Sequence, residues 1–260
     1  MQINIQTIKD LIANSKTEKE GLGRIINPII EKYNLAQKEI LEVCQIGKFV
    51  YKIDSEINIV DKPKPPRPDF IIEHQSKLIG LEHTRIFTEN ADNYNRTKSI
   101  IEYSETVYRK MFPEDKVHAI ISIIGDNLEY KQSEKKAIAT TIAQYVNCIK
   151  NQVETEKPEY IEKVRTTIHS QITFSYKEKI WQAGYLPKER LEEVIRKKET
   201  RLKIYQKDEK EISEYWLVLL IGSLSSASYE LNENENYEME SEFDRVYLMA
   251  DFDAEIIRIT

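Results

Sequence analysis

The chain has 260 residues, of which 40% are hydrophobic and 32% charged, and its net charge is −6. A chain of this length buries a sizeable core, and seven glycines and eight prolines are too few for a disordered or collagen-like protein. The acidic total excludes a protein that attracts polyanions through its overall charge.

The cysteine content and the apolar runs indicate a compartment. Cys44 and Cys148 are too few for a disulfide framework and have no metal-ligand spacing, which is typical of a reduced, intracellular protein. The first residues lack a basic region followed by an apolar core, so no secretory signal is expected. The longest strongly apolar run, residues 216–221, is shorter than the ~20 residues of a membrane-spanning helix. We therefore expect a cytoplasmic protein with no membrane contact.

The charge is unevenly distributed. Residues 157–203 hold 12 Lys and Arg against seven Glu, whereas residues 230–244 hold seven acids and no base. The first segment predicts a local basic surface despite the acidic total, and residues 230–242 predict a solvated acidic loop.

Helices are predicted at the start of the chain. Residues 4–46 carry apolar side chains at helical spacing, interrupted at Gly21 and Gly23. Short strands are predicted next, at residues 49–53 and 57–60.

A β-hairpin follows, at residues 68–73 and 78–84. The Pro-rich and Lys-rich lead-in cannot join a central strand, so the first strand begins only at Asp69, and residues 74–77 make the turn. Asp69 and Glu82 then lie on neighbouring strands. Because side chains alternate along a strand, Glu82 and Thr84 share one face and His83 points to the other. Carboxylates among apolar neighbours require compensation, and a divalent cation is one compensator.

The remaining elements alternate between helix and strand. The apolar patterns predict helices at 93–112, 133–151 and from Pro187 to 205, and strands at 117–124, 165–176, 215–222, 243–248 and 255–260. The near-continuous apolar runs at 117–124 and 215–222 are typical of strands buried on both faces.

The hairpin resembles the motif of the PD-(D/E)xK, or restriction-endonuclease-like, nuclease superfamily. That motif is Pro-Asp, a spacer, and then Asp or Glu followed two residues later by Lys. This chain has Pro68-Asp69 and Glu82-His83-Thr84, so Thr84 stands where the superfamily has its lysine. The resemblance in the order of elements covers about residues 25–150.

This resemblance implies a fold and a domain organisation. The implied fold is α/β, a restriction-endonuclease-like mixed sheet flanked by helices, with N-terminal helices and a C-terminal strand elaboration. It implies one domain over residues 1–260, with N-terminal helices to 46, a nuclease-like core at 47–150 and the elaboration at 151–260.

The resemblance also implies a function. It implies a nuclease that acts on DNA in host defence or DNA processing and that uses Mg²⁺ with Mn²⁺ as a substitute. Asp69, Glu82 and the carbonyl of His83 are the implied metal ligands. The alternative is a degenerate module that binds nucleic acid or a protein partner without cleaving, and a homodimer through the final strands is a further possibility. In the plainest interpretation, Asp69 caps a strand and Glu82 pairs with a surface arginine.

The missing lysine leads to a specific prediction. Thr84 can only hydrogen-bond water or phosphate. We predict that Lys198, on a helix anchored against a buried strand, replaces the lysine in preference to Lys98, and that Arg201 one turn on contacts an adjacent phosphate.

An additional acid from the first helices is also expected. Glu31 is preferred over Glu39 and Glu42, because it follows an apolar stripe.

Overall fold

The structure, a computed structural model, describes residues 5–178, 183–208, 211–222, 225–252 and 254–260. Its helices are α1 (Ile5–Lys32), α2 (Gln37–Ile53), α3 (Ala91–Met111), α4 (Lys135–Lys150) and α5 (Lys188–Asp208). Its strands are β1 (Asn58–Asp61), β2 (Phe70–His74), β3 (Lys77–Arg85), β4 (Val117–Ile123), β5 (Ile161–Ile168), β6 (Thr173–Tyr176), β7 (Gly184–Tyr185), β8 (Ile212–Ile221), β9 (Tyr229–Glu230), β10 (Arg245–Ala250) and β11 (Glu255–Arg258).

The fold is mixed α/β, and the chain divides into two compact units. The first unit comprises Met1–Ile86, Tyr185–Gly222 and Glu230–Thr260, and the second comprises Phe87–Gly184 and Ser223–Tyr229. No helix in the described part of the chain is long and apolar enough to span a membrane.

The first unit is built on a six-stranded mixed sheet in the order β1-β2-β3-β8-β10-β11. The predicted hairpin is confirmed, because β2 and β3 pair antiparallel with Phe70 opposite Leu81. Strand β8 pairs in parallel with β3 on one side and with β10 on the other, and α5 precedes it in the chain. The predicted closing strands are also confirmed as the antiparallel pair β10 and β11.

Helices α1 and α2 cover one face of this sheet. Residues 49–53, predicted as a strand, instead complete α2, because Val43, Ile46, Phe49 and Val50 keep helical spacing and are all fully buried. Gly21 does not interrupt α1. It allows close helix packing, since a Cβ there would lie 2.4 Å from the ring of Tyr51.

The second unit has its own three-stranded sheet, in the order β5-β4-β6. The strand predicted at 117–124 is present as β4, but it lies in this sheet and not beside the hairpin, since the parallel neighbour of β3 is β8. Strand β4 also alternates between buried and partly exposed residues, so it is buried on one face only. The strand predicted at 165–176 is two strands, β5 and β6, on opposite sides of β4.

Candidate active site

Asp69 is held against β3 at the start of the hairpin. Its Oδ2 accepts a hydrogen bond of 2.9 Å from the backbone N–H of His83. Burial raises the pKa of Asp69, and the negative charge of Glu82 raises it further. The His83 hydrogen bond and the ammonium groups of Lys198 and Lys62 act in the opposite direction without cancelling the shift. The two carboxylates therefore form an electrostatically coupled pair.

Glu82 is almost completely enclosed, with 1% of its side chain exposed. Lys198 Nζ donates to Glu82 Oε1 at 2.7 Å, and the Tyr205 hydroxyl donates to Oε2 at 3.0 Å. Arg201 Nη1 lies 3.8 Å from Oε1. An enclosed carboxylate needs both charge and hydrogen-bond partners, and α5 supplies them for Glu82.

Helix α5 presents Lys198 and Tyr205 to Glu82 because both residues lie on its buried stripe. Leu191, Ile195, Leu202 and Tyr205 are buried at helical spacing, and Lys198 falls between Ile195 and Leu202 on the same stripe. A lysine at an apolar-stripe position is a sequence signal for an inward-pointing charge. Tyr205 lies on that stripe too, and its contact with Glu82 was not predicted.

The backbone and the side chain of His83 lie in different surroundings. Its carbonyl accepts from Lys198 Nζ at 3.3 Å, on the side of the acids. Its ring is buried, and none of the described residues forms a hydrogen bond with Nε2. Burial lowers the pKa of His83 to about 3, with the charges of Lys198, Arg85 and Lys62 in support, so the ring is neutral.

Thr84 borders a basic cleft, defined here by Thr84, Arg85, Arg190, Glu193, Val194, Lys197, Lys198 and Arg201. Its lining includes five cationic side chains and one carboxylate. Such a cleft concentrates positive potential beside the two acids although the whole chain is acidic.

The three glutamates considered as an additional acid lie in different surroundings. Glu31 is exposed on α1, and Glu39 accepts a hydrogen bond from the backbone N–H of Ala36 at 2.8 Å, at the start of α2. Glu42 Oε2 accepts from Lys62 Nζ at 3.2 Å, and the charge of Lys62 acts on Asp69. Lys62 therefore links Glu42 to the acid pair. Glu31, the glutamate preferred in the prediction, makes no such contact among the described residues.

Lys98 belongs to α3 in the second unit. Its Nζ lies 4.0 Å from Glu102 Oε1, one turn along the helix, and half of its side chain is exposed. That is an ordinary pair on a helix surface.

The chemistry of the acid pair suits a divalent cation. Two carboxylates and the His83 carbonyl are oxygen donors of the kind that Mg²⁺ prefers. Burial and then the charge of Glu82 raise the pKa of Asp69, and a cation would offset both effects. No group of three or more His, Cys, Asp or Glu side chains suited to a metal occurs among the described residues. Among the described residues, the acid pair could offer an ion two side chains, Asp69 and Glu82, and Mg²⁺ commonly keeps several waters.

Comparisons with protein-family models, with curated proteins and with solved structures found no match.

Proposed function

We propose that the protein is a metal-dependent nuclease of the PD-(D/E)xK class that hydrolyses phosphodiester bonds in DNA. The observation that carries this proposal is the position of Lys198, whose ammonium lies 2.7 Å from Glu82 Oε1. Thr84 leaves the motif strand without its lysine, and α5 brings a lysine to the second acid of the motif from elsewhere in the chain.

The topology of the first unit supports a restriction-endonuclease-like core. The acids lie on an antiparallel hairpin, and β3 then pairs in parallel with β8. The longer segment of the second unit, Phe87–Gly184, lies in the chain between β3 and α5.

Each residue of the site has a distinct task in hydrolysis. Asp69 and Glu82 would hold the cation, which supplies a more acidic water and stabilises negative charge on phosphoryl oxygens. The Lys198 ammonium offsets charge that develops on the scissile phosphate, while the hydrogen bond from Tyr205 orients Glu82. Arg201 and the other cations of the basic cleft hold flanking phosphates.

Cleavage assays in Mg²⁺ and in Mn²⁺ test the proposal, with duplex DNA, single-stranded DNA and RNA as separate substrates. We expect DNA cleavage by the wild type, none by Asp69→Asn or Glu82→Gln, and a loss of at least about 100-fold for Lys198→Ala. Lys98→Ala is the matched control and keeps wild-type activity. If Lys198→Ala cleaves like the wild type while Lys98→Ala does not, the role of Lys198 is wrong.

A second candidate function is nucleic-acid binding without cleavage. The favouring observation is that Lys198 and Tyr205 already engage both oxygens of Glu82, so the carboxylate is compensated without a metal. Salt-dependent DNA binding with no cleavage in either metal would establish this alternative. Titration calorimetry with Mg²⁺ separates the two candidates further. Only the nuclease proposal expects Mg²⁺ to bind the wild type with a measurable heat that Asp69→Asn lacks.

A further inference from the structure

The three-stranded sheet of the second unit has one covered face and one open face. On the covered face Val117, Ala119, Ile121 and Ile123 of β4 are at most 1% exposed and pack with residues of α3 and α4. The residues between them on β4 are partly exposed. The sheet therefore presents a second face that the hydrophobic core of this unit does not use.

Strand register identifies the side chains on the open face. Ile120 of β4 lies between Arg165 of β5 and Ser175 of β6, and His118 lies between Thr167 and Thr173. Lys163 is opposite Ser122, one step further along β4. Lys163, Arg165 and Thr167 are exposed.

Three cationic side chains lie on this face, those of Lys163, Arg165 and Lys177. Lys177 continues the pairing of β6 with β4, since its backbone N–H donates to the carbonyl of Ile121 at 2.9 Å. Its side chain therefore lies on the same face as those of Thr173 and Ser175. Lys163, Arg165 and Lys177 pair with no carboxylate within the part of the chain that the structure describes. Glu178 lines the same cavity as His118, Ile120 and Lys177, and its Oε2 accepts a hydrogen bond of 3.1 Å from the backbone N–H of Ser226.

Hydroxyl and imidazole groups accompany these cations. His118 Nδ1 is 2.8 Å from the hydroxyl of Thr173, and its ring lies 5.8 Å from that of His169. Arg, Lys, Ser and Thr are the residue types that contact phosphate oxygens, and the extended arginine fork suits phosphate in particular.

We infer that the open face of the second unit binds the phosphate backbone of a nucleic acid. Its cations lie on a sheet separate from the acid pair and its basic cleft, so this is an additional contact surface. The inference rests on the proposed function in one respect, which is that the polyanion bound by this face is taken to be a nucleic acid. The surface carries no sequence information, because its contacts go to phosphate and not to base edges.

Fluorescence anisotropy with a labelled DNA duplex in EDTA tests the inference in the full-length protein. Binding is measured from 50 to 200 mM salt for the wild type, for Lys163→Glu/Arg165→Glu and for Lys110→Glu/Lys136→Glu. The second pair lies exposed on α3 and α4 and changes the net charge equally. We expect the sheet variant to bind about tenfold more weakly or worse, with a salt slope smaller by about two, while the helix variant keeps the wild-type slope.

Three outcomes would overturn the inference. They are wild-type affinity in the sheet variant, equal losses in both variants, and binding of polyglutamate as tight as that of DNA, which would point to an acidic protein partner. Circular dichroism checks the fold of each variant, and Arg165→Gln is the milder substitution if the double variant does not fold.

The same experiment separates this inference from the proposed function. Asp69→Asn should bind DNA in EDTA as the wild type does and fail to cleave it. The sheet variant should bind Mg²⁺ with the same heat as the wild type in titration calorimetry. DNA binding by the wild type without any cleavage in Mg²⁺ or Mn²⁺ would therefore count against the nuclease only. Wild-type DNA affinity in the sheet variant would count against the open face only.

Discussion

Lys198 and Glu82 are 116 positions apart in the chain and 2.7 Å apart in space. The pair is largely enclosed, with 15% of the lysine side chain and 1% of the glutamate side chain exposed. Removing one partner of such a pair leaves a buried charge, whereas replacing both can be neutral. A double variant that removes both charges can therefore restore stability without restoring catalysis, which separates the two roles of the pair.

The first prediction concerns the stability of that pair. Lys198→Ala should lower the free energy of unfolding by about 3–5 kcal/mol, because the buried Glu82 carboxylate loses its closest cation and keeps only the Tyr205 hydrogen bond and Arg201 at 3.8 Å. The double variant Glu82→Gln/Lys198→Met should recover most of the loss and remain inactive. Urea denaturation measures both, and additive losses in the double variant would contradict the prediction.

The second prediction concerns the hydroxyl of Tyr205. Tyr205→Phe removes a 3.0 Å hydrogen bond to Glu82 without leaving a cavity, so it should cost about 1.5–3 kcal/mol, as hydrogen bonds to charged groups do. Tyr145→Phe is the control, because no described residue hydrogen-bonds its hydroxyl. Chemical denaturation should show a clear loss for the first variant only, and equal effects of the two would exclude a specific role for Tyr205.

The third prediction is a pH dependence that originates at Asp69. Burial and the charge of Glu82 raise the pKa of Asp69 above its unfolded value of 3.8, so the native state binds more protons than the unfolded state between the two values. Ionised Asp69 therefore costs stability, and the cost appears as the pH rises from 3.8 through the native pKa. Asp69→Asn should be more stable than the wild type at neutral pH and lose this advantage in acid.

Asp61→Asn is a control of opposite sign for the third prediction. Burial would raise the pKa of Asp61, but its bonds to Lys32 and Tyr33 lower it, so ionised Asp61 stabilises the native state above pH 3.8. Asp61→Asn should be destabilised at neutral pH and approach the wild type in acid. Denaturation from pH 3 to 8 checks both variants, and Mg²⁺ should stabilise the wild type but not Asp69→Asn. A wild type indifferent to Mg²⁺ would argue against the metal site.

The fourth prediction concerns Arg201 in the basic cleft. Its side chain is 61% exposed, so its contribution to folding is small and its expected contribution is to substrate binding. Arg201→Ala should weaken DNA binding and reduce the salt slope by about one, with Mg²⁺ binding unchanged. Lys203→Ala, which removes a lysine paired with Glu242 outside the cleft, is the control. A slope equal to that of the wild type for Arg201→Ala would contradict the prediction.

The hairpin and its acids follow from local sequence. Pro68, the turn and the alternation of side chains determine the pairing of β2 with β3, and the register with Phe70 opposite Leu81 places Asp69 beside Glu82. The stripe of α5 is local as well, because Lys198 interrupts an apolar pattern at the spacing that points inward. These features involve residues close together in the chain, where the alternation of side chains and the residues of the turn determine the local structure.

Only the tertiary structure decides which strand lies beside β3. The runs at 117–124 and 215–222 are similar in composition, yet β8 became the parallel neighbour of β3 and β4 formed another sheet. Apolar runs of this kind do not encode their partner, because parallel pairing is decided by long-range packing and not by a turn. The connection of Glu42, rather than Glu31, to Asp69 through Lys62 has the same cause, since it depends on how α2 packs on the sheet.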